Sequence, residues 1–473
     1  MKSLAPILVV LLVSGCATTG LECSAHGGTA WRQVTSPHFA MVTNLSPEEA
    51  RASMLKLELS RAAILPALQG TELTTDPVEV VLFQSGAELT AATGLDQSFW
   101  NEDFRGPLLV IQDDANILLS NPQLERTQHE LSHLYSSRIF RRLPRWVAEG
   151  LASYLETITL DPKEKTARRG KANQTRLGDI EQWDLLPVES LWAWTQLEKD
   201  KPGLEQHRLS SAWFWVYWLL NEHRTEFEGF LRALSKGDEP GAAWRKAFPS
   251  LTTQLMTEQS TKFRAEGRST AQSIELSRVD LQIAETALPD ARVHAVLSRL
   301  ASLRGDWKRA AEQADVGAQM DPNDLLVLEQ VSVTRSQPDE RINAAEKVTL
   351  ADPKRVTGWL LLGMSASATK EAALKTALEL DSSQATAGAE LAVLARSKSQ
   401  LNEAIDWARH AYRSPANARA LAMSADVLFQ SGLCGEALSL ELRALESLPH
   451  VQEQSIGPKL HGKLDELAAC AKR

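Results

Sequence analysis

His129, Glu130 and His133 stand in the run His-Glu-Leu-Ser-His, and Glu149 follows in Pro144-Arg145-Trp146-Val147-Ala148-Glu149-Gly150. Histidines at i and i+4 leave one face of a helix about 6 Å apart, so a single cation can bridge them. Zinc takes neutral imidazole nitrogen at roughly 2.0–2.1 Å and prefers four ligands. His129, His133 and the Glu149 carboxylate would supply three, leaving one place for water. Glu130 would touch that water, not the ion, and accept its proton during attack on a carbonyl. These residue types in this order point to metal-assisted hydrolysis with one zinc per chain.

Two helices must hold these groups. Asn121-Pro122 is an N-cap followed by proline at the first helical position, so a helix is expected from Gln123 to about Arg138. Leu124, Leu131, Leu134, Tyr135 and Ile139 would pack on its other side. Fifteen residues separate His133 from Glu149, enough to end that helix, turn and bring a second one back. Pro144 starts the second helix, and Gly150 is expected to let the two backbones approach closely around the ion. Upstream, Val110-Ile111 and Ile117-Leu118-Leu119 are expected to form a hairpin. The arginines at 138, 141, 142 and 145 read as a solvated turn. Lys163 to Lys171 reads as an exposed basic loop. Trp213 to Leu220 is apolar all round and reads as a buried helix.

The spacing of His129, His133 and Glu149 resembles the gluzincin metallopeptidases. A closer likeness is to bacterial secreted proteins with a peptidase-MA-like domain. It rests on the strand Trp31 to Thr43, a helix from Glu48 to Leu68, the strand Val78 to Phe83, the histidine motif, and Pro144 to Gly150. The likeness runs from about Trp31 to Gly267. It implies that His129, His133 and Glu149 are zinc ligands, that Glu130 is the catalytic base, and that peptide bonds are the substrate. Relatives often carry a tyrosine just before the aromatic helix expected near Ser211, where a donor would meet the developing oxyanion. Here that place holds His207, the candidate for the same role.

Met1-Lys2, the apolar run Leu4 to Val13 and Val13-Ser14-Gly15-Cys16 have the form of a signal sequence. Its ending resembles a lipobox, which implies lipidation at Cys16 and an envelope location, with Ala17 pointing to an outer membrane facing the periplasm. Of the four cysteines, Cys434 is expected in a helix–helix turn and Cys470 in the last helix. A disulfide between them suits an oxidising compartment. Cys23 receives no role.

The chain has 473 residues, 43% hydrophobic and 23% charged, with 51 basic against 60 acidic side chains and a net charge of −9. That balance argues against a nucleic-acid partner. Ten of the 13 tryptophans precede residue 265, which marks an aromatic-rich first half and an Ala/Leu-rich second. Ala291, Leu297, Gly305, Ala310, Ala314 and Pro322 fall at tetratricopeptide positions, and Ala418 to Val451 fits the same pattern. Five helical pairs are expected, stacked into a superhelix whose concave face takes a peptide or protein.

The fold expectation is therefore α+β: a small mixed α/β segment and a helical zincin-like catalytic half, then an all-α tetratricopeptide-like solenoid. The expected limits are a signal peptide at 1–15, a lipidated tether at 16–28, the metallopeptidase domain at 29–265 and the repeats at 275–473 with a capping helix. A recognition module on a short linker also implies that the first half works alone. The competing reading is an envelope scaffold lipoprotein whose metal site is structural or inactive, since structural zinc sites keep no open position.

Overall fold

The computed structural model describes residues 23–69, 77–112, 122–161, 163–194, 203–267, 271–276, 282–365, 368–413, 417–453 and 456–472. The expected signal sequence, Cys16 and Asn121 lie outside them. The segment Trp31–Thr43 is not one strand but two, β1 (Arg32–Thr35) and β2 (Phe39–Thr43), paired antiparallel across the turn containing Pro37. Proline fixes φ and donates no hydrogen bond, so it favours the turn. Ser46 and Glu49 form a reciprocal capping box that starts α1 (Pro47–Ile64). β3 (Val78–Phe83) then runs parallel to β2.

After α2 (Gly86–Thr93), β4 (Phe99–Asp103) and β5 (Gly106–Gln112) form a hairpin whose second strand is parallel to β3. Val110 and Ile111 thus pair with residues of β3 and β4; the segment 113–121, with Ile117 to Leu119, lies outside the described residues. The paired helices expected around the metal motif are α3 (Pro122–Ile139) and α4 (Arg145–Leu155). Where a basic loop was expected, β6 (Thr159–Asp161) and β7 (Thr166–Arg169) form a hairpin. Next come α5 (Gln174–Trp183), α6 (Val188–Trp192), α7 (Leu204–Glu222), α8 (Arg224–Lys236), α9 (Pro240–Ala247) and α10 (Thr253–Glu266). The aromatic helix therefore starts earlier than Ser211, and Trp213 to Leu220 is buried throughout.

The expected linker is also structured. β8 (Gln272–Glu275) adds to β7, and β9 (Ala284–Ala287) adds to β1, giving the larger sheet the order β4-β5-β3-β2-β1-β9. Alternation along the strands then sets the layers. Met41, Val80, Leu82, Leu109 and Ile111 join the core that includes α1, α3, α4 and α7. Val81, Phe83, Leu108 and Val110 face the other way, onto Leu89 of α2 and Val293, Leu297 and Leu300. Cys23 is fully buried in that second core beside Trp31, so its place is structural.

Val293, Leu297 and Leu300 belong to α11 (Asp290–Leu303), the first helix of a tetratricopeptide-like array. α11 pairs with α12 (Trp307–Met320), α13 (Leu325–Thr334) with α14 (Pro338–Ala351), and α15 (Val356–Met364) with α16 (Lys370–Leu380). α17 (Ala385–Ser397) pairs with α18 (Leu401–Arg413), and α19 (Ala418–Gln430) with α20 (Cys434–Glu446). Ala310, Ala314, Ala404, Ala408, Ala437 and Ala444 are buried where the paired helices touch, because only small side chains permit that approach. α21 (His450–Glu453) and α22 (Gly457–Ala471) close the array. The Cys434–Cys470 disulfide, with Cα atoms 5.6 Å apart, ties α22 to α20.

The array does not hang free. Phe104, at the tip of the β4–β5 hairpin, packs against the apolar clusters of α14 to α17, and its carbonyl accepts from Gln384 at 3.3 Å. Farther along, Glu446 accepts from Arg142 Nε at 2.8 Å, Arg142 Nη2 at 2.9 Å and the Leu143 amide at 3.2 Å. Gln452 donates to Asn101 of β4 at 2.8 Å. Of the arginines expected in a solvated turn, Arg142 and Arg145 thus meet the array, Arg145 reaching Glu205 and Glu453 at 3.6 and 3.9 Å, while Arg138 holds Glu102 of β4 at 2.9 Å. Among the described residues, no helix is long and apolar enough to cross a membrane.

Candidate metal centre

α3 buries Leu131, Leu134 and Tyr135 and turns His129 and His133 toward α4. One helical turn brings their Nε2 atoms 3.1 Å apart. Glu149, one turn into α4, places Oε2 at 3.8 Å from His129 Nε2 and 3.5 Å from His133 Nε2. Tetrahedral zinc with bonds of about 2.0–2.2 Å separates its ligand atoms by about 3.4 Å, so the donor set fits the ion without rearrangement. Among the described residues, this is the one group of three His, Cys, Asp or Glu side chains close enough to share a metal.

The electrostatics suit a ligand cluster. Burial alone would raise the Glu149 pKa, but the imidazoles of His133 and His129, with Arg145, hold it well below the ordinary carboxylate range. Glu149 is therefore ionised and ready to bind a cation. His129 Nδ1 donates to Glu156 Oε2 at 2.7 Å, which leaves Nε2 as the lone-pair side facing the cluster. Asn173 donates to the other Glu156 oxygen at 2.9 Å while its own Oδ1 caps α5. A chain of fixed groups thus runs from α5 to the first histidine.

Glu130 follows His129 in α3 but is not among the converging side chains. It is only 3% exposed and forms an ion pair with Arg126 at 3.1 Å, one turn back along α3. A buried carboxylate beside, and not within, the ligand set is what a proton acceptor requires.

Two expected roles change. A Cβ added to Gly150 would lie 2.5 Å from Val216 Cγ2 and 2.6 Å from the Ala212 carbonyl, both on α7. The glycine therefore serves the α4–α7 crossing and not the approach of α3 to α4. His207 lies in the first turns of α7, where Nε2 donates to the Asp184 carbonyl at 2.8 Å and the ring packs against Trp183. Its donor is spent on the backbone, so His207 is not placed as an oxyanion donor.

Glu156 follows Glu149 by two helical turns, a periodicity visible in the sequence that makes it the alternative third ligand there; in the structure it holds His129 instead. His450 and Glu453 carried no such signal, being about 300 residues away along the chain. His450 Nδ1 donates to Glu453 Oε1 at 2.7 Å, and that bond, reinforced by the charges of Glu453 and Glu149, pushes His450 up to about 9. The end of the array thus brings His450 within electrostatic reach of Glu149, a candidate ligand.

Residues 128–240 match a family model described as "Protein of unknown function (DUF1570)", a stretch that holds all three candidate ligands and Glu130. No match is found among curated proteins. Among solved structures, the chain is similar to a thermophilic TPR protein of Thermus thermophilus at 13% identity, covering 37% of this chain and 98% of that one, with a TM-score of 0.33. Two crystal structures of MamA are similar at 20% and 21% identity. They cover 36% and 32% of this chain and 94% and 93% of theirs, with TM-scores of 0.26 and 0.25.

Proposed function

We propose that this protein is a zinc-dependent metallopeptidase of the bacterial cell envelope, held by a lipid on Cys16. The observation that carries this reading is the convergence of His129, His133 and Glu149 with the buried Glu130 beside them. When bound, zinc supplies Lewis acidity to a substrate carbonyl and lowers the pKa of water. His129, His133 and Glu149 hold the ion, and Glu156 fixes the orientation of His129. Glu130 takes the proton of the attacking water and returns it to the leaving amine. β4, at the end of the sheet order and joined to α3 through Glu102–Arg138, is the strand on which an extended substrate would add. The array's contribution is to hold that strand and to bind a protein partner.

The reading is tested by incubating the full chain with a random peptide library and mapping new termini by mass spectrometry. Cleavage that is lost on chelation, restored by zinc and absent from Glu130→Gln supports it. Zinc-loaded protein that cleaves nothing would instead favour the scaffold reading.

A further inference from the structure

The sheet face turned away from the metal helices carries a different chemistry. Between β2, β3 and β5 on one side and α11 and α13 on the other lies a cavity of about 330 Å³, at the lower end of the range of ligand pockets, roughly 300–1,000 Å³. Arg105, from the β4–β5 hairpin, lines it and also lines an adjoining cavity of about 290 Å³.

Arg105 is 7% exposed, and its closest charge is Asp103, with Nε 3.4 Å from Oδ2. Among the described residues, no acceptor meets its Nη1 or Nε with hydrogen-bond geometry. Of the surrounding carboxylates, Glu79 and Asp103 Oδ1 are engaged by Arg299 and Glu329 by Arg355, while Asp103 Oδ2 accepts no hydrogen bond and faces Arg105 only as an ion partner. Burial pushes the Arg105 pKa down, and the neighbouring Arg299 adds to that. Arg299 is itself 9% exposed and keeps an unmatched Nε. On the opposite wall, Gln330 is buried and its Oε1 meets no donor.

A buried guanidinium whose only acidic neighbour in reach, Asp103, leaves Nη1 and Nε without a hydrogen bond, and a buried carbonyl without its donor, both lining one cavity, define the missing ligand. It must present a planar anionic acceptor, which a guanidinium fork receives on two parallel N–H groups. It must also present an N–H to Gln330. The last residue of a peptide offers both, a carboxylate and its own amide. We propose that this cavity is a recognition site for the carboxyl terminus of a peptide, with Arg105 receiving the carboxylate and Gln330 the terminal N–H. The site lies on the far face of the sheet from the metal ligands and stands whether or not they are active.

The test is ligand-observed NMR titration of the full chain, carrying Glu130→Gln to prevent turnover, with a pool of N-acetylated tripeptides. The pool is offered as free acids or as carboxyl-terminal amides. The free acids should bind at least about tenfold more tightly than the amides, the difference expected for a charge-assisted hydrogen bond. Arg105→Gln should remove that difference. Val296→Phe, which fills the cavity without touching Arg105, should block both pools even if Arg105→Gln proves unstable. Equal binding of acids and amides, no binding of either, or displacement of the free acids by acetate at equal concentration would overturn the proposal.

Discussion

The two faces of the larger sheet solve different problems. The face toward α3 and α4 is apolar, with Met41, Val80, Leu82, Leu109 and Ile111 packed under the helices that carry the candidate metal ligands. Polar groups beside the candidate ligands are held in a fixed order, with Glu156 orienting His129 and Asn173 orienting Glu156. The opposite face mixes an apolar core with the arginines 105, 299 and 355, and leaves a cavity between sheet and array. Rigid positioning needs a close-packed support. Recognition needs space and polar groups still seeking partners. The array is thus not an accessory on a linker, since it shares with α2 the cover of one face of the sheet.

Removing the array should therefore have the largest effect. Truncation after Gly267 deletes β8, β9 and α11, and exposes Trp31, Phe83, Leu89, Leu108 and Val110. At about 1.5–3 kcal/mol for each such side chain, the loss rivals the whole net stability of a domain, about 5–15 kcal/mol. The truncated protein should show no cooperative thermal transition by circular dichroism. A folded, zinc-loaded fragment would restore the independent first half that the sequence suggested.

On the metal face, Glu130→Gln should lower kcat for peptide hydrolysis by about 10²–10⁴-fold, the usual contribution of a general base. Gly150→Ala should destabilise the protein by about 1–3 kcal/mol, as overpacking against Val216 and the Ala212 carbonyl forces α4 and α7 apart. Thermal melting reads it, and an unchanged transition would deny that the crossing is tight. Glu156→Gln should weaken zinc binding by about 10–100-fold in a chelator competition while leaving the fold intact. Unchanged affinity would make Glu156 a bystander.

The smallest effect concerns the contact between the array's end and the metal face. His450 has its pKa raised to about 9 by Glu453. A raised histidine contributes stability that is fully present below its ordinary value near 6.5 and is lost as pH rises toward 9. The melting temperature should fall over that interval, and His450→Gln should flatten the fall.

Much of this molecule was legible in the sequence, for physical reasons. His129, His133 and Glu149 sit at spacings that only helices bring together, and β3 and the alanine-spaced pairs follow from short periodicities. The misreadings share a cause: each depends on contacts remote in sequence. Pairing of 272–275 and 284–287 with strands over a hundred residues earlier leaves no local trace in so polar a segment. Arg142 looked solvated because its partner, Glu446, lies in α20. Gly150 was assigned to the wrong neighbour because α7 could not be placed from spacing alone.

The central claim is that His129, His133 and Glu149 bind zinc while Glu130 does chemistry without touching it. Elemental analysis by mass spectrometry of the purified full chain, alongside Glu149→Ala and Glu130→Gln, tests it most directly. About one zinc per chain is expected in the native protein and in Glu130→Gln, with loss in Glu149→Ala. Full zinc occupancy in Glu149→Ala, or loss of zinc in a folded Glu130→Gln, would contradict it.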